Sequence, residues 1–572
     1  MVVDPAGVTY VTGTADSPTT VDVITAAFGP DGALRWSRTY NGPGNWADQG
    51  RAVALGPGGV LYVAGNTPDP QSYANVLLLK YDTVSGNLLN AIQYSSGPGL
   101  SEYGGSVATD AQGNVYVGGG TVGDGEDAMV LKFNAAGQFQ WKRIWDGPAF
   151  APYSQDTVLE IVMDPSDVPV VLIHGVMGSN HPDYVVVKYD PSNGSTIWEA
   201  NWGSNGEDSP RDMAIDGSGE VYVTGTTLSV FSTIKLRGSD GQLLWQAYDS
   251  AGARDSATAL ALDGQGGVYI TGRIDPDGDV SNLNDNIYTV KRDAGSGALQ
   301  WSHLYGANCL YCYDVPADVI VDPAGNVFVA GSTTSPPYNN DVITLVLDAN
   351  TGAETVRGII SGGTTQTATP SFLGFDGAYN LLDGGETYDF NTGAVRMSVF
   401  KYDSLFDASV PFCGPGSAGV IACPCSNPPA GPARGCDNSS ATGGASIHSS
   451  GVASLGADTL MFTTAGEKPT ATSIVLQGTA MNPSGMIFGQ GVRCVSGSLK
   501  RLYVRSASGG SISAPAGTDP SVSARSSTLG DTISAGSHRY YMVYYRDPIV
   551  LGGCSALSTY NATNARDVTW MP

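Results

Sequence analysis

An all-β fold is predicted by three observations. Of 572 residues 76 are Gly and 33 are Pro, about 19% turn formers against a background near 12%. Apolar residues fall in short runs between turn signals, as for many short strands. Only 14% of residues are charged while 41% are hydrophobic. Nine Trp, 28 Tyr and 14 Phe supply ample core surface, which excludes a disordered chain. No run approaches the roughly 18 consecutive apolar residues of a membrane span. A soluble mature chain with two or more domains is therefore expected.

The net charge of −25 repels nucleic acid and anionic membrane and favours cations or basic partners, so nucleic-acid binding is excluded. The charge is uneven: residues 1–412 carry −28 and residues 413–572 carry +3, as expected of two domains. Six of eight cysteines (Cys413, Cys423, Cys425, Cys436, Cys494, Cys554) fall in the last 160 residues, and Cys309 and Cys312 form the other cluster. An even, clustered count points to disulfides and an oxidising, extracellular or cell-surface setting. Met1-Val2-Val3-Asp4-Pro5 lies inside a repeat, so an upstream segment is expected and the lack of a visible signal peptide weighs little.

Residues 1–410 repeat. A β-rich run closing on glycine recurs at Gly13, Gly65, Gly119, Gly175, Gly225, Gly272, Gly331 and, degraded, Gly384. A period near 50 residues with four strands per unit matches a propeller blade. In each unit strand A is an alternating run such as 259–262. A turn follows, usually opened by Asp (Asp110, Asp164, Asp216, Asp263, Asp322, Asp376), where side-chain capping and positive φ are wanted. Strand B is the VYVTG-like run, whose glycine suits close backbone approach. Strand C is a run such as VVVKY from Val185, and strand D carries Trp36, Trp141, Trp198, Trp245 or Trp301, whose rings can fill space between blades. Blades stack and close a ring because one sheet cannot bury both faces. Eight blades are expected, with seven plus an accessory hairpin as the alternative.

The D-x-x-G-N-V-Y-V-x-G core, clearest at 322–331 and in DAQGNVYVGG from Asp110, resembles the SBBP-type β-propeller repeat of secreted bacterial proteins. The resemblance spans about 400 residues and implies an extracellular interaction role, with no single activity.

After Phe412 the composition shifts to CGPG, ACPCSNPPAGPARGC and a Ser/Gly-rich stretch, so 411–451 reads as a disulfide-tied linker. Strand candidates in 452–572, with clear alternation in RLYVR and RYYMVYYRD, predict a small antiparallel β-sandwich. The Cys-rich entry and late Cys resemble C-terminal modules of large secreted bacterial proteins. Six cysteines allow 15 connectivities.

Candidate chemistry is sparse. VVLIHGVMGSN from Val170 looks like a lipase oxyanion segment but fills a strand B slot, and no G-x-S-x-G elbow exists, so it reads as a strand. The loop at 275–286 gathers Asp275, Asp277, Asp279, Ser281 and Asp285, the oxygen density calcium requires, although it departs from an EF-hand loop. Acidic turns recur between strands B and C, with Asp124, Glu126 and Asp127 in the third unit. An acid precedes strand A in six units (Asp48, Glu102, Asp156, Asp208, Asp255, Asp314). Repetition at one blade position points to structural hydrogen bonds, with a cation-binding rim as the other reading. Cys309 and Cys312 read as a local loop disulfide, because no second CxxC or His pair completes a zinc site. The run Tyr540, Tyr541, Tyr544, Tyr545 offers sugar stacking, but strand alternation places at least one pair in the core.

The expected function is non-catalytic attachment or assembly outside the cell, with protein or polysaccharide partners. Self-association of the acidic propeller with the basic module of another copy is a further expectation. A hydrolytic enzyme with rim carboxylates and a calcium-stabilised polysaccharide binder are the alternatives.

Overall fold

The computed structural model describes residues 1–572 except 17–19, 31, 71–72, 123–124, 149–154, 178–180, 205, 250–253, 276–284, 307–312, 323–325, 336–338, 361–365, 376–380, 390–393, 403–408, 418, 432, 451–452, 454, 456–457, 459, 535, 552–558 and 571–572. It forms two compact units, Met1–Lys401 and Tyr402–Pro572. Among the described residues no helix is long and apolar enough to cross a membrane.

Among the described residues the first unit contains eight consecutive antiparallel sheets, seven of four strands and a last of three, each with its strands in chain order. The fifth is typical: Asp208–Ile215, Val221–Thr227, Val230–Leu236 and Leu243–Asp249 are its strands A to D. The A strands of successive sheets (Gln49–Gly56, Ser101–Thr109, Thr157–Met163, Asp208–Ile215, Ser256–Leu262, Val315–Val321, Gln366–Phe375) contact one another and so surround a common axis. The short strand A of the first sheet, Val2–Val3, touches both the second and the eighth. Separate buried clusters lie between neighbouring sheets, such as the one joining Tyr116, Trp141, Ile161, Val171 and Val185. Stability therefore comes from sheet stacking.

The repeat motif is explained residue by residue. The turn aspartate caps the chain with one oxygen and holds a tyrosine with the other. Asp110 Oδ1 accepts from the N–H groups of Gln112 (3.1 Å) and Asn114 (2.8 Å), while Oδ2 accepts from Tyr116 Oη at 3.2 Å. Asp216 with Tyr222 and Asp263 with Tyr269 repeat the pairing, each at 3.0 Å. In the fourth sheet Val170 replaces the tyrosine, and Asp164 instead pairs with Lys188 at 2.6 Å.

In five of the sheets strand D ties the sheet to its neighbour. The indole Nε1 groups of Trp36, Trp141, Trp198, Trp245 and Trp301 donate to the carbonyls of Thr83, Pro191, Gly238, Ala294 and Ala349, at 2.9 to 3.3 Å. Lysines across the strand, Lys132, Lys188, Lys235 and Lys291, donate to four of these carbonyls at 2.6 to 3.0 Å. The expected inter-blade role of the tryptophans is thus given a hydrogen bond as well as a packed ring.

Strand A of the second to eighth sheets carries a β-bulge. The repeated strand B glycine pairs with the residue just before it. At Gly225 a Cβ would come within 2.2 Å of Ser209 O, which is why this position stays small. Register corrects two of the repeat glycines. Ile173, not Gly175, faces Val158 in the fourth sheet, and Gly385, not Gly384, faces Pro370 in the eighth.

The second unit holds a five-stranded sheet, in the order Ser409–Phe412, Tyr560–Thr569, His538–Arg546, Thr472–Gly478, Lys500–Ser506, with smaller sheets and one short helix, Val522–Thr528. Both faces of its central strand are covered. Tyr541, Val543 and Tyr545 pack with Phe462 and Trp570, whereas Met542 and Tyr544 pack with Cys413, Val492 and Cys494. Disulfides join Cys413 to Cys494 and Cys423 to Cys436, and Cys425 is also disulfide-bonded. Cys309, Cys312 and Cys554 lie outside the described residues. The stretch expected as a linker is built into this unit: Cys436, Ala445 and Ile447 are fully buried, and Ser446–Ser450 pairs with Met461–Ala465. Side-chain amides do the work of missing hydrophobes there, with Asn427 Nδ2 donating to Asp437 O at 2.6 Å and to Gln490 O at 3.1 Å.

Candidate functional site

Three carboxyl groups converge at the axis of the first unit, and none belongs to a motif visible in the sequence. Glu160, Asp212 and Asp318 each occupy the position just after the bulge of strand A, in the fourth, fifth and seventh sheets. Each reaches the backbone of a neighbouring sheet. Glu160 Oε2 accepts from Met213 N–H at 3.1 Å, Asp212 Oδ2 from Leu260 N–H at 2.6 Å and Asp318 Oδ2 from Leu373 N–H at 2.6 Å. Ser106 plays the same part in the third sheet, accepting from Ile161 N–H at 3.0 Å. Ala52 and Ala259 hold the position where no such staple forms. These residues lie four positions after the repeated acids at 48, 102, 156, 208, 255 and 314. The bulge inserts one residue and breaks the two-residue alternation that would have revealed which side chains face the axis.

Burial raises all three groups above the ordinary carboxylate range. Asp212 is pushed up to about 6 by desolvation. Asp318 is pushed up to about 7 by desolvation, with the charge of Asp212 adding to it. Glu160 is raised well above the ordinary glutamate value, first by desolvation and then by Asp212, to which it is hydrogen-bonded. A neutral Glu160 donating to a charged Asp212 satisfies both. A pair in direct hydrogen-bond contact is closer than the ~5 Å that a retaining glycosidase needs.

The acids preceding strand A are buried hydrogen-bond acceptors. Asp48 takes the N–H of Gly42 (2.5 Å), Glu102 that of Ser96 (2.9 Å), Asp208 that of Ser204, and Asp156 those of Gly147 (2.9 Å) and Val176 (2.6 Å). Asp255 accepts from Asp275 N–H at 3.3 Å and Asp314 from Thr333 Oγ1 at 2.5 Å. These bonds pin the loop after strand D to the start of the next sheet, or the end of strand B to the start of strand A in the same sheet.

Of the proposed calcium loop, Asp277, Asp279 and Ser281 lie outside the described residues, as does Asp124. Asp275 is buried with Arg254 at 3.1 Å, and Asp285 pairs with Arg273 at 3.2 Å. His174 sits in strand B, its Nδ1 3.3 Å from Gln155 O, as a strand residue should. Tyr541 and Tyr545 are fully buried and Tyr544 nearly so, which removes them as a sugar-stacking surface.

The fold and its axis define the first unit as a β-propeller. A model of the SBBP β-propeller repeat matches residues 200–232 and 300–339. No curated protein matches the sequence. Solved structures similar to the chain include BamB from Moraxella catarrhalis, at 11% identity and TM-score 0.39, covering 69% of this chain and 98% of that one. Quinohemoprotein alcohol dehydrogenase from Comamonas testosteroni gives 13% identity and TM-score 0.43, covering 65% and 70%. The periplasmic gluconolactonase of Pseudomonas aeruginosa gives 14% and 0.38, covering 62% and 98%.

Proposed function

We propose that this protein is a non-catalytic interaction module working outside the reducing cytoplasm, in attachment or assembly, with its acidic propeller directed at cationic or basic partners. The observation that carries this reading is the use made of the axial carboxyls: Glu160, Asp212 and Asp318 are each spent on a backbone N–H of a neighbouring sheet. Their oxygens serve the ring, where a catalytic pair would be left free for substrate. The disulfides of the second unit support a non-cytoplasmic setting.

The −28 and +3 of the two parts of the chain also favour contact between copies. Light scattering across a salt series tests this: the account expects larger species at low salt that dissociate as salt rises, and a salt-insensitive monomer removes self-association. A panel of glycoside and ester substrates tests the rest. No turnover is expected, and turnover abolished by Asp212→Asn in a folded variant would establish the hydrolytic reading instead.

A further inference from the structure

The seams between sheets carry a second set of acids with a different character. The residue near the start of strand C, beside the end of strand D, is Asp22 in the first sheet, Asp127 in the third and Asp183 in the fourth. Each lies next to the acid preceding strand A of the following sheet: Asp22 beside Asp48, Asp127 beside Asp156, Asp183 beside Asp208. Asp22, Asp48, Asp183 and Asp208 are at most 8% exposed, and the Oδ1 atom of each has no hydrogen-bond partner. Thr67 is fully buried beside Asp48 and brings its hydroxyl to the same place. In the third seam Asp146 joins the pair, and Asp127, Asp146 and Asp156 bring carboxylate oxygens within 4.8 Å of one another.

Two like charges buried together are costly without a counter-charge. Elsewhere this chain supplies one: Arg292 on Asp249 at 2.5 Å, Arg254 on Asp275, Lys188 on Asp164. At these three seams no lysine or arginine among the described residues forms an ion pair with the acids; the imidazoles of His181 and His174 stand near Asp183 and Asp156. In the second, fifth and sixth sheets the strand C position is Asn75, Val230 or Asn286, and in the seventh it is the buried Asp341. Calcium binds hard oxygens at 2.3–2.6 Å, so oxygens on opposite sides of one ion stand about 4.8 Å apart. The three carboxylates lie within that span of one another.

We propose that the inter-sheet seams at Asp127/Asp146/Asp156, and by the same design at Asp22/Asp48/Thr67 and Asp183/Asp208, bind calcium ions that join adjacent blades. Asp146 is exposed and lines a groove with Arg143, Trp145, Met177 and Glu199, which opens the third seam to solvent. Water completes the coordination, and the octahedral demand of magnesium is poorly met. The proposal is independent of what the propeller binds.

Calorimetric titration of the full chain with calcium chloride at about pH 7.5, thermal unfolding in calcium against EGTA, and terbium luminescence excited through Trp145 test it together. The expected result is saturable binding, a melting temperature several degrees higher in calcium, and a weaker response to magnesium. Asp146→Asn, at an exposed position, should cut terbium luminescence and weaken calcium binding about tenfold while leaving the EGTA melting temperature unchanged or higher. No heat, no shift and no luminescence at millimolar metal would overturn the proposal. So would calcium binding that survives Asp146→Asn and Asp183→Asn but is lost on Asp277→Asn.

Discussion

Trp198 donates its indole N–H to Gly238 O at 3.0 Å while its ring lies against Gly241, where a Cβ would fall 2.6 Å from Cε3. Gly241 has φ +73, so the turn needs glycine twice, for its backbone and for the ring of the preceding sheet. Gly264 separates the two effects, with φ +68 and nothing within 4 Å of its Cβ position. Gly264→Ala is expected to cost about 1 kcal/mol from conformation alone, and Gly241→Ala about 3 kcal/mol because the indole must also move. Urea unfolding of the two variants checks the difference; equal losses would mean the ring is not a fixed contact.

The turn aspartate makes a second prediction. Asp110 accepts four hydrogen bonds, from two backbone N–H groups, Asn114 Nδ2 and Tyr116 Oη. Asp110→Ala should destabilise the propeller by about 3 kcal/mol, whereas Tyr116→Phe removes one bond and should cost about 1 kcal/mol. Measured by the same unfolding, a double variant no worse than Asp110→Ala would show that the tyrosine acts through the aspartate.

Reduction should destabilise the second unit. The Cys413–Cys494 bond closes 81 residues and Cys423–Cys436 closes 13. Loop-closure entropy assigns them roughly 4 and 3 kcal/mol. Calorimetry with and without reductant should therefore shift the transition of the second unit to lower temperature.

Much of this architecture is legible in the residues, because the Asp turn, the strand B glycine and the strand D tryptophan each have a local cause that repeats. The slip at Gly175 comes from spacing taken without register: Ile173 fills the glycine position and the real glycine sits two residues on. The axial staple is invisible for a related reason, since a bulge shifts which side chain faces the centre and only cross-strand pairing reveals it. Pairings such as Asp183 with Asp208 join positions 25 residues apart across two sheets, and no linear pattern marks them as neighbours. The folded stretch after Phe412 reads as a linker because its core is built from disulfides and asparagine bonds, which composition alone does not distinguish from flexible Ser/Gly chain.

The axial carboxyls are buried staples whose proton affinity is raised in the folded state. A carboxyl whose folded pKa exceeds its unfolded value binds more protons in the folded state, so stability is greatest below the unfolded pKa and falls as pH rises. With Asp212 and Asp318 moved from 3.8 to about 6 and about 7, that loss runs from roughly pH 4 to pH 7. The most direct measurement is the urea midpoint of the propeller transition between about pH 5 and pH 8, for the parent chain and for Asp212→Asn/Asp318→Asn in EGTA. The account predicts a midpoint that drops across this range in the parent and a flatter profile in the variant. A parent midpoint that rises with pH, or an unchanged slope in the variant, would contradict it.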